Sequence, residues 1–308
     1  MNVRAHAPDR VLRAGDRTLA LGERPLLMGV VNASPDSFSD DGSARTLDRQ
    51  LRLAGELVDA GADILDVGGE SARTGVPPVS VEAEIERVVP LVARIAAELG
   101  AIVSVDTYKP LLARAAIGAG ASIVNDVSGL RDPALADLCA ETGAALVLMH
   151  TLAAPKQRLQ DPDLYGEDVT GEVLAFLHTR IELALAAGVS SEQLILDPGP
   201  DFAKTPAQTI ALLANVGRLH ELHRPLLMAI SRKDFIGALT SRAPRERLAG
   251  TLAALAHGVD AGAHIFRVHD VAAAADYLAV RAALRGECEP RGDLALAEEL
   301  RHERRGQL

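Results

Sequence analysis

Polar residues able to bind and react stand at the ends of eight short apolar runs. Asn32 follows LLMGVV (26–31), and Asp66 lies within DILDVG (63–68), just ahead of GGESAR. Asp106 closes AIVSVD (101–106), Asn125 and Asp126 close SIVND (122–126), and Met149 and His150 close ALVLMH (145–150). Asp197 closes LILD (194–197), Ser231 ends PLLMAIS (225–231) ahead of Arg232 and Lys233, and HIFRVH (264–269) carries Arg267 and His269. Alone, a strand-end Asp is as readily a helix N-cap as a functional group, and a lone His is more often structural. Polar groups on every run, converging on one mouth, favour a site, because Asp or Arg is seldom spent on an apolar strand without a task. They divide into two chemical sets. Asp106, Asn125, Asp197 and Lys233 offer donors and acceptors to a flat, amide-rich heterocycle. Asn32, Arg73, Arg267 and His269 suit an anion held together with a divalent metal. No Ser-His-Asp or reactive-Cys arrangement is present, so no protein nucleophile is expected.

The elements that must position these groups follow from the spacing. Ala/Leu/Glu/Arg-rich segments with helical periodicity separate the apolar runs, among them 80–99 and 171–188. The helices close in Gly within DAGAD, ELGAI, GAGAS, ETGAA and DAGAH, where Gly supplies the left-handed conformation that ends a helix. Eight strand–helix units predict an α/β fold, a (β/α)₈ TIM barrel, over an open doubly wound sheet. Active sites of such barrels sit at the carboxyl ends of the strands. The predicted organisation is an N-terminal extension with a short hairpin (1–25, the hairpin over 11–21), the barrel (26–285) and a charged tail (286–308). Two loops have the composition of substrate-covering segments. They are NASPDSFSDDG (32–42), with Phe38 in a chain poor in aromatics, and GGESARTGVPP (68–78).

Composition agrees and excludes other classes. A chain of 308 residues with 48% hydrophobic but only 3% aromatic residues and no Trp must build its core from Ala, Val, Leu and Ile, as a parallel sheet buried on both faces does. The net charge of −10 and the absence of a basic tract argue against nucleic acid as a partner. No apolar run reaches the roughly 18 residues of a membrane span, and the charged N-terminus does not read as a signal peptide. The two cysteines, Cys139 and Cys288, form no motif and suit a reducing, cytoplasmic setting.

These segments resemble one family, dihydropteroate synthase. The resemblance runs from about Leu26 to Asp270 through MGVVNASPDSFSDDG (28–42), DILDVGGESARTG (63–75), SVDTYKP (104–110), VNDVSG (124–129), LMH (148–150), ILDPGPDFAKT (195–205), SRKDFIG (231–237) and FRVHDV (266–271). It implies a transferase of folate biosynthesis. Such an enzyme joins 6-hydroxymethyl-7,8-dihydropterin diphosphate to 4-aminobenzoate by an SN1-like path, releasing diphosphate and forming 7,8-dihydropteroate. It implies a pterin held by Asp106, Asn125, Asp197 and Lys233 between apolar walls Met149 and Phe202, with Asp66 close by. It implies diphosphate contacts and catalytic roles for Asn32, Arg73, Arg267 and His269, Mg²⁺ at Asn32, and a homodimer.

The chain departs from the family's pattern on the acceptor side. Ala72-Arg73-Thr74-Gly75 stands where Thr-Arg-Pro-Gly is usual, Asp234 stands where a Ser lies beside the acceptor's carboxylate, and Asp201-Phe202-Ala203-Lys204 replaces Gly-Phe-Gly-Lys. Ala33-Ser34 for Val-Thr is a milder change. An Asp at 234 repels a carboxylate unless it is protonated or turned away. Three readings therefore stand open. One is a synthase whose acceptor is held by loop backbone and by Arg232 or Lys233. Another is a pterin-binding paralogue with a changed acceptor or no turnover. The third is a methyl-folate methyltransferase of the same barrel group.

Overall fold

The computed structural model describes residues 10–22, 24–33, 43–71, 75, 77–288, 292, 294–297 and 300–301. Phe38 and most of the first loop, and Ala72, Arg73 and Thr74, lie outside them.

A two-stranded antiparallel hairpin, β1 (Arg10–Ala14) and β2 (Arg17–Leu21), comes first, turning through Gly15 in the left-handed region. Eight parallel strands follow: β3 (Leu26–Asn32), β4 (Ile64–Gly68), β5 (Ile102–Asp106), β6 (Ile123–Asp126), β7 (Ala145–Met149), β8 (Leu194–Asp197), β9 (Leu227–Met228) and β10 (Ile265–Val268). They pair in the order β8-β7-β6-β5-β4-β3-β10-β9. The bridge Leu196↔Leu226 and the hydrogen bond from Leu196 N to Pro225 O (2.9 Å) bring β8 to β9. The expected TIM barrel with a short N-terminal hairpin is the observed fold. The helices between and after the strands are α1 (Ser43–Asp59), α2 (Val81–Arg94), α3 (Pro110–Gly118), α4 (Ala134–Thr142), α5 (Val169–Ala186), α6 (Pro206–Ala214), α7 (Asp234–Thr240), α8 (Leu248–Asp260) and α9 (Val271–Leu284).

Helix ends obey local chemistry. Ser80 caps α2, Asp168 caps α5 and Thr205 caps α6 with their side-chain oxygens, which satisfies otherwise orphaned amides. Gly143 takes the left-handed conformation after α4 and its N–H returns to Cys139 O at 2.9 Å. The Gly positions read from the sequence as helix closers, Gly61, Gly100, Gly120, Gly143 and Gly262, all have positive φ.

Strand alternation then sorts the side chains into two cores. On the outer face Leu65, Val67, Val103, Val105, Val124, Leu146, Leu148 and Leu196 pack beneath the helices. On the inner face Met28, Ile64, Ile123, Ala145, Val147, Ile195, Leu227 and Ile265 fill the lower barrel. Leu12, Ala14 and Leu21 of the hairpin join that inner cluster. The hairpin therefore plugs the amino-terminal end of the barrel. Arg13 fixes it there by donating to Ser190 Oγ and Gln193 Oε1, both at 3.0 Å. With one end plugged by apolar side chains, the polar groups of the inner face gather towards the carboxyl ends of the strands.

Candidate active site

The same alternation delivers the polar residues. Two positions beyond the inner Ile64, Ile123 and Ile195 come Asp66, Asn125 and Asp197, and two beyond Ile265 comes Arg267. Asn32, Asp106, Asn125, Met149, Asp197, Phe202, Lys233, Arg267 and His269 line one cavity of about 820 Å³, with Asp66 fully buried beneath it. Of the residues expected from sequence to form the site, only Arg73 lies outside the described residues.

Arg267 organises the floor. Its Nε donates to Asp66 Oδ2 at 2.6 Å and its Nη2 to Asp106 Oδ2 at 2.8 Å. Asn125 Nδ2 donates to the same Asp66 oxygen at 3.2 Å. Asp66 Oδ1 is buried with no protein partner among the described residues. Burial pushes the Asp106 carboxyl up to about 7, with Arg267 opposing the shift and Asp66 adding to it. Arg267 itself stays firmly charged: burial works against it, but Asp66 and Asp106 outweigh that cost.

The opposite wall is cationic and aromatic. Lys233 Nζ sits 4.3 Å from the centre of the Phe202 ring, a cation–π contact. Burial lowers the Lys233 pKa, against the pull of Asp201 and Asp197. Burial raises the Asp197 carboxyl, and Gly199 N–H, 2.7 Å from its Oδ1, offsets part of that. Towards the opening, His269 Nδ1 lies 3.0 Å from Ser231 Oγ, and burial, helped by Arg232 and Arg267, pushes its pKa down to about 4. His269 is therefore neutral near pH 7.

Two strand-end groups read from sequence as part of the converging ring do not join it. Asp126 and His150 fall on the outward parity. The Asp126 carboxylate accepts from Ser128 N (2.8 Å) and Leu130 N (2.6 Å), shaping the turn after β6. His150 packs edge-on against Phe176 and beside Tyr165. Arg232, offered from sequence as an acceptor ligand, is bound twice to Asp270, at 2.7 and 3.1 Å. Asp234 stands at the rim of the cavity, 71% exposed, and its Oδ1 accepts from Arg247 Nη1 at 3.0 Å.

Sequence reasoning missed a buried charge network behind the second loop. Lys109 Nζ, just after β5, donates to Glu84 (2.5 Å), to Glu70 (3.2 Å) and to Val79 O (2.6 Å). Lys156, from the segment after β7, pairs with Glu70 at 3.2 Å and donates to Ser71 O, while Gly75 N donates to Lys156 O at 3.2 Å. Glu70 and Lys109 stand in the motifs GGES and TYKP. Only their nearness in space, which no local pattern encodes, reveals the pair.

Residues 28–269 match the pterin binding enzyme family. The dihydropteroate synthase of Escherichia coli strain K12 is 42% identical over 245 residues, 80% of this chain and 86% of that protein. The chain belongs to the dihydropteroate synthase family. The family fold agrees in detail. The Xanthomonas albilineans dihydropteroate synthase solved with 4-aminobenzoic acid has a TM-score of 0.82 and 42% identity over 90% of this chain and 98% of its own. The Burkholderia cenocepacia dihydropteroate synthase complexed with 7,8-dihydropteroate has a TM-score of 0.81 and 39% identity over 90% and 97%.

Proposed function

We propose that this chain is a working dihydropteroate synthase. Its substrates are 6-hydroxymethyl-7,8-dihydropterin diphosphate and 4-aminobenzoate, and its products are 7,8-dihydropteroate and diphosphate. The observation that carries the reading is the single cavity in which buried carboxylates, an amide and two cations face one another across an apolar wall. A pterin is a planar array of N–H and carbonyl groups. Asp106 and Asp197 accept from its amino and ring N–H groups, Asn125 and Lys233 serve its acceptors, and Met149 and Phe202 cover its faces. The unpartnered Asp66 Oδ1 beneath the floor offers one further acceptor.

The chemistry needs no protein nucleophile. The methylene–oxygen bond breaks and its electron pair leaves with the diphosphate. The pterin ring shares the positive charge left on carbon, the arylamine nitrogen forms the new C–N bond, and its proton passes to solvent. Arg267 and His269 face the departing oxygen and stabilise its growing charge. Neutral His269 does so as a donor in this reading, with Ser231 Oγ, 3.0 Å away, donating to Nδ1 and Nε2 carrying the proton offered to the anion.

Asn32, at the end of β3, is exposed and offers an amide oxygen. That hard donor fits Mg²⁺, which keeps several waters and takes phosphate oxygens in place of a full protein cage. Among the described residues no three His, Cys, Asp or Glu side chains stand together as such a cage. The ion, when bound, would neutralise diphosphate charge. Arg73, in the second loop, belongs to the same anion-binding set.

On the acceptor side, the pairing of Asp234 with Arg247 offsets the repulsion its sequence position suggests. With Arg232 committed to Asp270, the arginines that rim the cavity near the acceptor side are Arg245 and Arg158, the latter also bound to Gln160. This geometry favours the synthase over a paralogue with a changed acceptor.

No described helix is long and apolar enough to cross a membrane. Cys139 and Cys288 are both free thiols, which supports a reducing, cytoplasmic setting. Val280 and Leu284, one turn apart on α9, are 59% and 83% exposed, which supports a homodimer packed through outer helices. Light scattering at twice the chain mass is the expected result. The activity itself is tested by incubating the full chain with both substrates and Mg²⁺ and looking for dihydropteroate by mass spectrometry. Equimolar dihydropteroate and diphosphate are expected, and intact pterin diphosphate would refute the reading.

A further inference from the structure

Lys204 has no exposed surface, yet among the described residues no carboxylate pairs with it. Its Nζ donates to Gly199 O (2.9 Å) and Phe202 O (3.1 Å) and lies 2.8 Å from His150 Nδ1. Burial, with Lys204 adding to it, pushes the His150 pKa down to about 2, so the imidazole is neutral and its Nδ1 accepts. Burial pushes the Lys204 pKa down to about 7, against the pull of Asp197 and Asp201. Burying an amine this deeply is costly, and such an arrangement persists where it fixes something else.

What it fixes is the segment that follows β8. Asp201 and Ala203 hold positive φ values of 63° and 51°, a region that non-glycine residues adopt at a cost. Gly199 shares that region, and a Cβ there would collide with the carbonyl oxygen of His150. Tyr165 OH donates to Ala203 O at 2.8 Å. The carbonyls of Gly199, Phe202 and Ala203 therefore turn towards buried donors, Lys204 Nζ for the first two and Tyr165 OH for the third. On its other side the same segment carries the groups of the cavity. Gly199 N–H holds the Asp197 carboxylate at 2.7 Å, the Phe202 ring faces Lys233, and Asp201 Oδ2 accepts from Asp234 N at 2.5 Å, capping α7 directly after Lys233.

We propose that Lys204 is a positioning residue for the pterin, its Nζ gathering the carbonyls of residues 199 and 202 so that Asp197, Phe202 and Lys233 stand in register for the ring. The inference rests on the pterin reading of the cavity. Lys204 itself lies behind the wall and touches no substrate.

The test compares the full-length wild type with Lys204→Met in calorimetry with the pterin diphosphate and in steady-state turnover. The expected result is a pterin affinity weaker by about tenfold, a KM raised in parallel, and a kcat within about twofold of wild type. Should Lys204→Met fail to fold, His150→Phe carries the same test. It keeps a ring against Phe176 and Tyr165 and removes one acceptor, and the pterin KM should rise about threefold. Unchanged pterin affinity in whichever folded variant is measured, with only a lower melting temperature, would make Lys204 purely structural and overturn the proposal. If the wild type binds no pterin, the functional reading and this inference fall together. If it binds and the variant binds equally well, this inference falls alone.

Discussion

Asp106 is the residue on which pterin recognition should turn with pH. Burial pushes its carboxyl up to about 7, so it gains its charge as pH rises through that value. The ionised form accepts from two pterin N–H groups, whereas the acid surrenders one acceptor to its own proton. Pterin affinity measured by calorimetry should therefore rise up to about tenfold between about pH 6 and 8, and Asp106→Asn should flatten the profile. A flat wild-type profile would contradict the assignment. The same shift acts on stability in the opposite sense. A folded-state pKa above the usual carboxylate value means that this group's contribution falls as pH rises from about 4 to 7. Arg267 carries the second residue-scale prediction. It is the charged partner of a fully buried Asp66, and removing one member of a buried pair leaves the other uncompensated. Arg267→Ala should weaken pyrophosphate binding and lower the unfolding free energy by about 3 kcal/mol. Pyrophosphate affinity equal to wild type would remove Arg267 from the anion site.

At the scale of elements, parity along the strands decides which polar residues reach the cavity. The residue types and their strand-end positions were legible in the sequence, as were the strands, the glycine helix ends and the N-terminal hairpin. Parity takes Asp126 and His150 out of the converging ring. Each follows an inward residue by one position, so each side chain points to the helices, where Asp126 ties a turn and His150 meets Lys204. The Glu70–Lys109–Glu84 network and the Lys204 cage were also hidden. Their partners are distant in sequence, and a lysine in a loop motif looks solvated until the fold buries it. The first loop, with Phe38, and the Ala72–Thr74 stretch lie outside the described residues. The hairpin that plugs the barrel offers an element-scale test. Leu12 has no exposed surface within the inner cluster, at the end remote from the site. Leu12→Ala should cost about 2–5 kcal/mol in denaturant unfolding and leave kcat/KM unchanged. A large kinetic effect without loss of stability would show the plug coupled to the site.

For the molecule as a whole, an acidic chain brings several cations together where the strands end. Arg267, Lys233 and the rim arginines Arg158 and Arg245 stand around one cavity, against a net charge of −10. That concentration is what an anionic donor and a carboxylate-bearing acceptor require of a protein whose overall field repels both. The family membership and the cavity agree on the donor, and the pairing of Asp234 with Arg247 supplies a counter-charge on the acceptor side. The most direct measurement is diphosphate release from 6-hydroxymethyl-7,8-dihydropterin diphosphate by the purified chain, with and without 4-aminobenzoate and with and without Mg²⁺. The account predicts rapid release only when both are present, with dihydropteroate formed in equal amount. Tight binding of the pterin diphosphate without release, in the presence of both, would contradict it.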